Sequence, residues 1–426
     1  MKTKILLLTS FIFMLFSIQA QIIHVPGDYP TIQEGINASS DGDTVLVAED
    51  TYFENIKFMG KAITVASEFI LDGNTDHIDN TIIDGSQAAD PDSAAVVMFI
   101  NGEDTTSIIN GFTITGGSGV KVNTPWQAIM GGGIFTANSG AKIINNHIIN
   151  NMITHANYSC GGVGIGSFST TENHWVVIAD NVISGNQSFA NSVTSFGGGM
   201  YVMNNAMIKN NVIEQNSCYN SGTQADGGGI EVEQVEGQDF TVYIDNNLIQ
   251  NNSVEGTTYG LGGGISCLSV STIYILNNTI AENILLSGNL GFGGGIYGNS
   301  IGDQIQIKNN TIQNNFCDAT SSYGGGFSLT LCGISVVTEN EISSNSLLAE
   351  NYSGGGGGYF QQATDTIFIS NNNFDGNATG GTGFGGGIGI YNTTFEVLYF
   401  DGNILSNNYS TQNGGRLWTY NTYRTH

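Results

Sequence analysis

Apolar and polar positions alternate along this chain with a long, regular period. The pattern Asn/Asp/Glu-x-x-Ile-x-x-Asn occurs nine times, starting at Asn145, Asp180, Asn210, Asn246, Asn277, Asn309, Glu339, Asn371 and Asp401. Its second position is Asn except at Gly402, its fourth is Ile except at Phe374, and its seventh is Asn throughout, from Asn151 to Asn407. Two residues before each start stands Ile or Val, until Tyr399 replaces it. The spacing averages about 32 residues, within the range of solenoid repeats. A second marker alternates with the first. It is a run of glycines followed by an apolar residue, from Gly131–Gly133 with Ile134, through Met200, Ile230, Ile265, Ile296, Phe327, Tyr359 and Ile388, to a poorer copy at Gly414, Gly415 and Arg416.

Each unit therefore predicts a strand, a sharp Asn turn, a short strand, a polar loop, a Gly turn and another strand. In Ile230-Glu231-Val232-Glu233 the alternation puts Ile and Val on one face and both glutamates on the other, where they read as solvent-facing. A single unit cannot bury its apolar face, but stacking units in register turns each Ile column into a continuous core. Asn at the same turn of every unit can form a hydrogen-bonded ladder and tolerates left-handed backbone. The expected fold is all-β: a single-stranded right-handed parallel β-helix, a solenoid with a short N-terminal capping helix. A leucine-rich horseshoe needs Leu-x-x-Leu-x-Leu, which is absent, and a propeller needs about 40–45 residues per blade. At about 4.8 Å per turn, some twelve turns make a rod of roughly 55–60 Å.

These glycine and Asn-Asn-x-Ile-x-x-Asn units resemble the right-handed β-helix repeat proteins of the pectate-lyase-like superfamily. They are also similar to the glycine-rich repeats of polymorphic outer-membrane proteins. The resemblance spans roughly residues 22–412 and is specific for fold rather than activity, since this fold hosts many functions. His24 to Ile36 resembles the helix that opens pectinesterase-like β-helices. Thr31 and Glu34 have the spacing of a capping box, and Ile32 and Ile36 share a face. Tyr52-Phe53-Glu54-Asn55-Ile56 resembles the Gly-x-Tyr-x-Glu element that follows, with Asp50 in place of the glycine. The resulting division is a β-helix over 21–412, with a cap helix near 30–39, irregular turns over 43–120 and regular repeats over 131–412.

The two ends read differently. Lys2 and Lys4 precede an apolar run from Ile5 to Ile18, followed by Ala20, the pattern of a secretory signal peptide over residues 1–20. A secreted or cell-surface location follows. No other segment approaches the ~20 apolar residues of a membrane span. Residues 413–426 leave the repeat and hold both arginines, Arg416 and Arg424. This tail reads as a truncated or frame-shifted product as readily as a native end, with a sorting or anchoring module lost in the former case.

Composition sharpens the choice of partner. Only 11 % of residues are charged, against about 25 % in ordinary soluble domains, which argues against a helical bundle. The net charge of −26 excludes nucleic acid and anionic membrane as partners and favours cations such as Ca²⁺. The five cysteines, Cys160, Cys218, Cys267, Cys317 and Cys332, match no metal spacing and read as small buried apolar side chains. Cys218 and Cys317 fall at equivalent repeat positions three turns apart, too far for a disulfide.

The resemblance implies chemistry that can be looked for. Pectate lyases combine acidic Ca²⁺ ligands with an Arg or Lys base. No Arg precedes Arg416, and Lys142, Lys209 and Lys308 read as outward, solvated side chains. The Gln-Asp-Thr-Leu of pectinesterases, the adjacent aspartates of polygalacturonases and the Asp-Pro-His of alginate epimerases are missing. Asp72, Asn74, Asp76 and Asp79, with His77 among them, look like the first half of a Ca²⁺ loop without its turn Gly and distal Glu. Ca²⁺ is thus the one candidate cofactor. Phe135, Tyr201, Tyr297 and Phe360 occupy positions after the Gly turns expected to face outward, where they could stack on sugar rings. Phe196, Phe292, Tyr323 and Phe384 form a second set just before those turns. The leading expectation is a protein that binds extracellular polysaccharide or a cell-surface glycan along one face. A polysaccharide lyase is the alternative, and a passive adhesin or spacer the third reading.

Overall fold

The computed structural model describes residues 20–424 apart from 124–126, 172, 173, 192, 235, 236, 364, 396 and 421. The expected signal peptide lies outside the described residues, except for Ala20. The chain forms a right-handed parallel β-solenoid. Successive turns stack their strands into three long sheets, of 13, 12 and 12 strands among the described residues. The first sheet runs from Ile22–Val25 to Leu398–Asp401, the second from Asp50–Tyr52 to Ile404–Ser406, and the third from Ile56–Lys57 to Leu417–Tyr420.

The register is strict. Ile143, Ile178, Ile208, Ile244, Ile275 and Ile307 pair in line across the first sheet. Ile148, Ile183, Ile213, Ile249, Ile280 and Ile312 do so across the second. All are fully buried in one continuous core. The corners on either side of the second sheet are left-handed, as is the first glycine of the Gly turn (Gly262, φ 58°). Asn246 (φ 54°) makes the first and Asn251 (φ 54°) the second, and their counterparts in other turns are Asn, Asp, Glu, Gln, Ser or Gly. The residues after these corners form two internal Asn ladders. Asn247 is typical: its Oδ1 accepts from the main-chain N–H and the Nδ2 of Asn211 (both 2.9 Å), and its Nδ2 donates to the Ile208 carbonyl (2.9 Å). The buried amides of the two ladders are thereby paired, as interior polar groups generally are.

The ninth repeat is corrected by one residue. Asn372 and Asn377 bond to Asn403 and Asn408, and Leu405, not Ile404, pairs with Phe374. In the tail, Leu417–Tyr420 pairs with Ile388–Tyr391 and adds a further strand to the third sheet. At the other end, helix Ile32–Ala38 buries Ile32 and Ile36, as their shared face foretold. Thr31 accepts from the Glu34 N–H (3.2 Å), but Glu54 supplies the rest of the cap, accepting from the N–H groups of Ile32 and Gln33 (both 2.9 Å). No helix among the described residues is long and apolar enough to cross a membrane.

Between the second sheet and the Gly turn, each regular turn sends out an arm, made of two short strands such as Ser217–Asn220 and Gln224–Asp226 or of one long strand such as Phe316–Tyr323. Arms of neighbouring turns pair in parallel and bury Cys218, Val254, Leu285 and Cys317 in a column of their own. The two cysteines are three turns apart, as expected, and all five cysteines are buried and outside any disulfide. The second strand of each arm packs beside the outer face of the third sheet. Phe196 stacks on Tyr201 (4.9 Å) and Phe292 lies against Tyr297 (5.4 Å). A solenoid face that should meet water is therefore roofed.

Candidate functional site

That roof overturns the expected outward aromatic column. Phe135, Tyr201 and Tyr297 do point away from the central core, yet they are only 3–4 % exposed because the arm covers them. Phe360 is misplaced for another reason. The run Gly354–Gly358 carries an extra glycine, so Gly358 takes the core position opposite Phe327, and Tyr359 the outer one opposite Ser328. Phe360 then joins the central core. The Phe327 ring fills the room left by Gly358, coming within 2.3 Å of where a Cβ would stand.

The proposed Ca²⁺ ligands do not converge. Asp72 ends one short helix, Phe69–Asp72, while Asp76 and Asp79 lie on another, Asp76–Asn80. Asp72 accepts from the Asn74 N–H (2.8 Å) and pairs with His77 (3.4 Å), Asn74 accepts from the Asp76 N–H (3.1 Å), and Asp79 pairs with His147 (2.9 Å). Desolvation pulls the His77 imidazole down, but Glu49 (2.7 Å) and Asp72 outweigh it and raise the pKa. Among the described residues, no three His, Cys, Asp or Glu side chains are grouped to hold a metal ion.

Where the arm and the third sheet meet, two stretches are chemically distinctive. The first is a cleft of about 550 Å³ over the last turns. Its walls are Tyr323, Tyr352, Ser353, Gly354 and Phe384 from the arm, and Tyr359, Gln361, Tyr391, Trp418 and Tyr420 from the third sheet. Parallel register explains this concentration, since one residue per turn in each column builds a ladder of like side chains. Trp418 stacks with Phe384 (4.8 Å), and Tyr391 with Tyr420 (5.6 Å). Tyr352 and Tyr420 form the open rim, at 59 % and 51 % exposure. None of the lining side chains is charged. Tyr323 and Phe384 belong to the set singled out before the Gly turns. Trp418 and Tyr420 were missed because the tail shows no repeat motif.

The second stretch is one turn bearing three carboxyl groups. Asp226 ends an arm strand, and Glu231 and Glu233 follow across the Gly turn, whose Gly227 has φ 61°. Contrary to expectation, Glu231 does not face solvent. It and Asp226 are fully buried, while Glu233 is partly open. Neither Glu231 oxygen has a hydrogen-bond partner, and one Asp226 oxygen lacks one. Gln224 donates to the other (2.7 Å), and the Tyr201 hydroxyl donates to Glu233. Burial pushes all three carboxyl pKa values up. Mutual repulsion adds to the rise for Asp226 and Glu231, while Gln224 and Tyr201 draw Asp226 and Glu233 partly back. In this turn burial favours the protonated form of each carboxyl group.

No protein-family profile matches the chain, and no curated protein does. Among solved structures it is similar to the A-module of a mannuronan C-5 epimerase from Azotobacter vinelandii. The identity is 12 %, the match covers 93 % of this chain and 94 % of that one, and the TM-score is 0.38. At that score the likeness carries no argument about activity.

Proposed function

We propose that this chain is a secreted or cell-surface member of the pectate-lyase-like superfamily that binds a polysaccharide in the aromatic cleft. The observation that carries this reading is the cleft itself. Sugar rings present flat C–H faces that pack on aromatic surfaces, and their hydroxyls suit a rim of tyrosine hydroxyls and one amide. The test is retention of the purified protein by a panel of acidic and neutral polysaccharides. Trp418→Ala should weaken retention by about tenfold, the worth of one good aromatic contact. Unchanged retention would remove the cleft from the account. Export is tested separately: the mature protein should begin at Gln21.

A second reading, a polysaccharide lyase, draws on the carboxyl-bearing turn. Three converging carboxyl groups with raised pKa values are material for proton transfer, and Glu233 is the one open to the surface. The enzyme reading requires new chain ends to appear on incubation with a substrate and to vanish in Glu233→Gln. A passive spacer would neither bind nor cleave.

A further inference from the structure

We propose that the cleft holds a single neutral sugar ring at the point where its aromatic ladder skips a turn. This rests on the polysaccharide-binding reading above and adds the position and charge class of the bound unit.

The ring contacts fall into two groups. Phe292, Tyr323 and Tyr359 are joined at centroid distances of 5.2 and 4.9 Å. Phe384, Tyr391, Trp418 and Tyr420 are joined at 4.8–6.1 Å. Among the described residues no ring contact links one group to the other. The break falls where both columns carry glycine. Gly354 sits between Tyr323 and Phe384, and Gly389 between Tyr359 and Trp418. Residues flanking each glycine are two strand spacings apart, about 9.6 Å. That is twice the separation at which rings of adjacent turns stack, so one ring is missing from the sequence of stacks. Tyr359, itself buried, leans across both glycines and forms the base of the gap. A Cβ on Gly354 or Gly389 would stand 2.9 or 3.1 Å from its ring. The cleft opens above it, toward the rim at Tyr352 and Tyr420.

The lining also selects for charge. Its polar groups are tyrosine and serine hydroxyls and the Gln361 amide, with no Lys or Arg, and Arg416 does not line the cleft. A uronate carboxylate seated here would lose water without gaining a cation, a costly exchange. The surrounding molecule, with 36 acidic against 10 basic residues, repels it further. A neutral pyranose meets neither penalty.

The experiment titrates the purified full chain with neutral oligosaccharides of glucose, mannose and xylose, and with oligogalacturonate and oligomannuronate. Calorimetry and tryptophan fluorescence are read at low and at high salt. Neutral chains should bind, and uronates should bind at least about tenfold more weakly even at high salt, where only long-range repulsion is screened. Gly389→Tyr, which completes the ladder without removing any ring, should lower neutral-sugar affinity by about tenfold or more. Tyr359 and Trp418 hold the same position in adjacent turns, but a Cβ at Gly389 would stand 3.1 Å from the Tyr359 ring, which must tilt aside, so the fold of the variant is checked first by circular dichroism. Should that variant not fold, Gly354→Phe fills the same gap from the neighbouring column. Equal binding of uronates at high salt would overturn the neutral class and leave polysaccharide binding standing. Binding kept in folded gap-filling variants but lost in Trp418→Ala would put the sugar outside the gap. No binding by either class would bring down both readings.

Discussion

A carboxyl group without a partner in a protein interior is a debt carried at every pH above its own pKa. Asp226, Glu231 and Glu233 have folded pKa values raised above those of an unfolded chain. From about pH 4 upward, the folded state therefore holds more protons than the unfolded one, and this turn loses stability as pH rises. His77 acts in the same direction near neutrality, since its pKa is also raised. The informative quantity is the difference between variants. Asp226→Asn with Glu231→Gln should flatten the fall in melting temperature between acid and mildly alkaline pH, and should be the more stable protein at the alkaline end. A parallel fall in both proteins would show that these carboxyl groups ionise freely.

Among the elements, the Asn ladder and the left-handed corner before it respond differently to substitution. Asn247→Ala strands the main-chain and side-chain donors of Asn211 and frees the Ile208 carbonyl. At about 1–3 kcal/mol per buried unpaired group, the loss should reach several kcal/mol in urea unfolding. Its neighbour Asn246 holds a left-handed corner, so Asn246→Gly should be nearly neutral and Asn246→Ala should cost about 1 kcal/mol. This contrast also marks what the sequence made legible. Ile columns and Asn ladders recur at fixed spacing, and spacing is visible in a string of residues. The slips came where spacing was ambiguous, at five consecutive glycines before Tyr359 and at the double Asn of Asn407 and Asn408. Alternation correctly turned Tyr201 and Glu231 away from the core. It carried no information about the arm that covers them, because that contact joins the two sides of a Gly turn. The cleft was only partly legible, since Trp418 and Tyr420 lie in a tail without the motif.

At the scale of the whole molecule, charge and shape act together. A net charge of −26 on a rod repels itself, so the melting temperature should rise as salt is added and level off once the screening length falls to about 8 Å. A neutral ligand in the cleft should bind with nearly constant affinity over the same range, which makes salt a control for the proposed ligand class. The parallel register has a mechanical consequence as well. Each turn is fastened mainly to the turns on either side of it, by main-chain bonds and by one amide in each Asn ladder. Under tension applied at its two ends, such a coil has no single point of failure and comes apart by unwinding from an extremity. Each released turn would free about 32 residues, or roughly 110 Å of contour length. A force–extension trace should then show a series of evenly spaced small ruptures rather than one large one, with the unbridged cysteines imposing no covalent stop on the way.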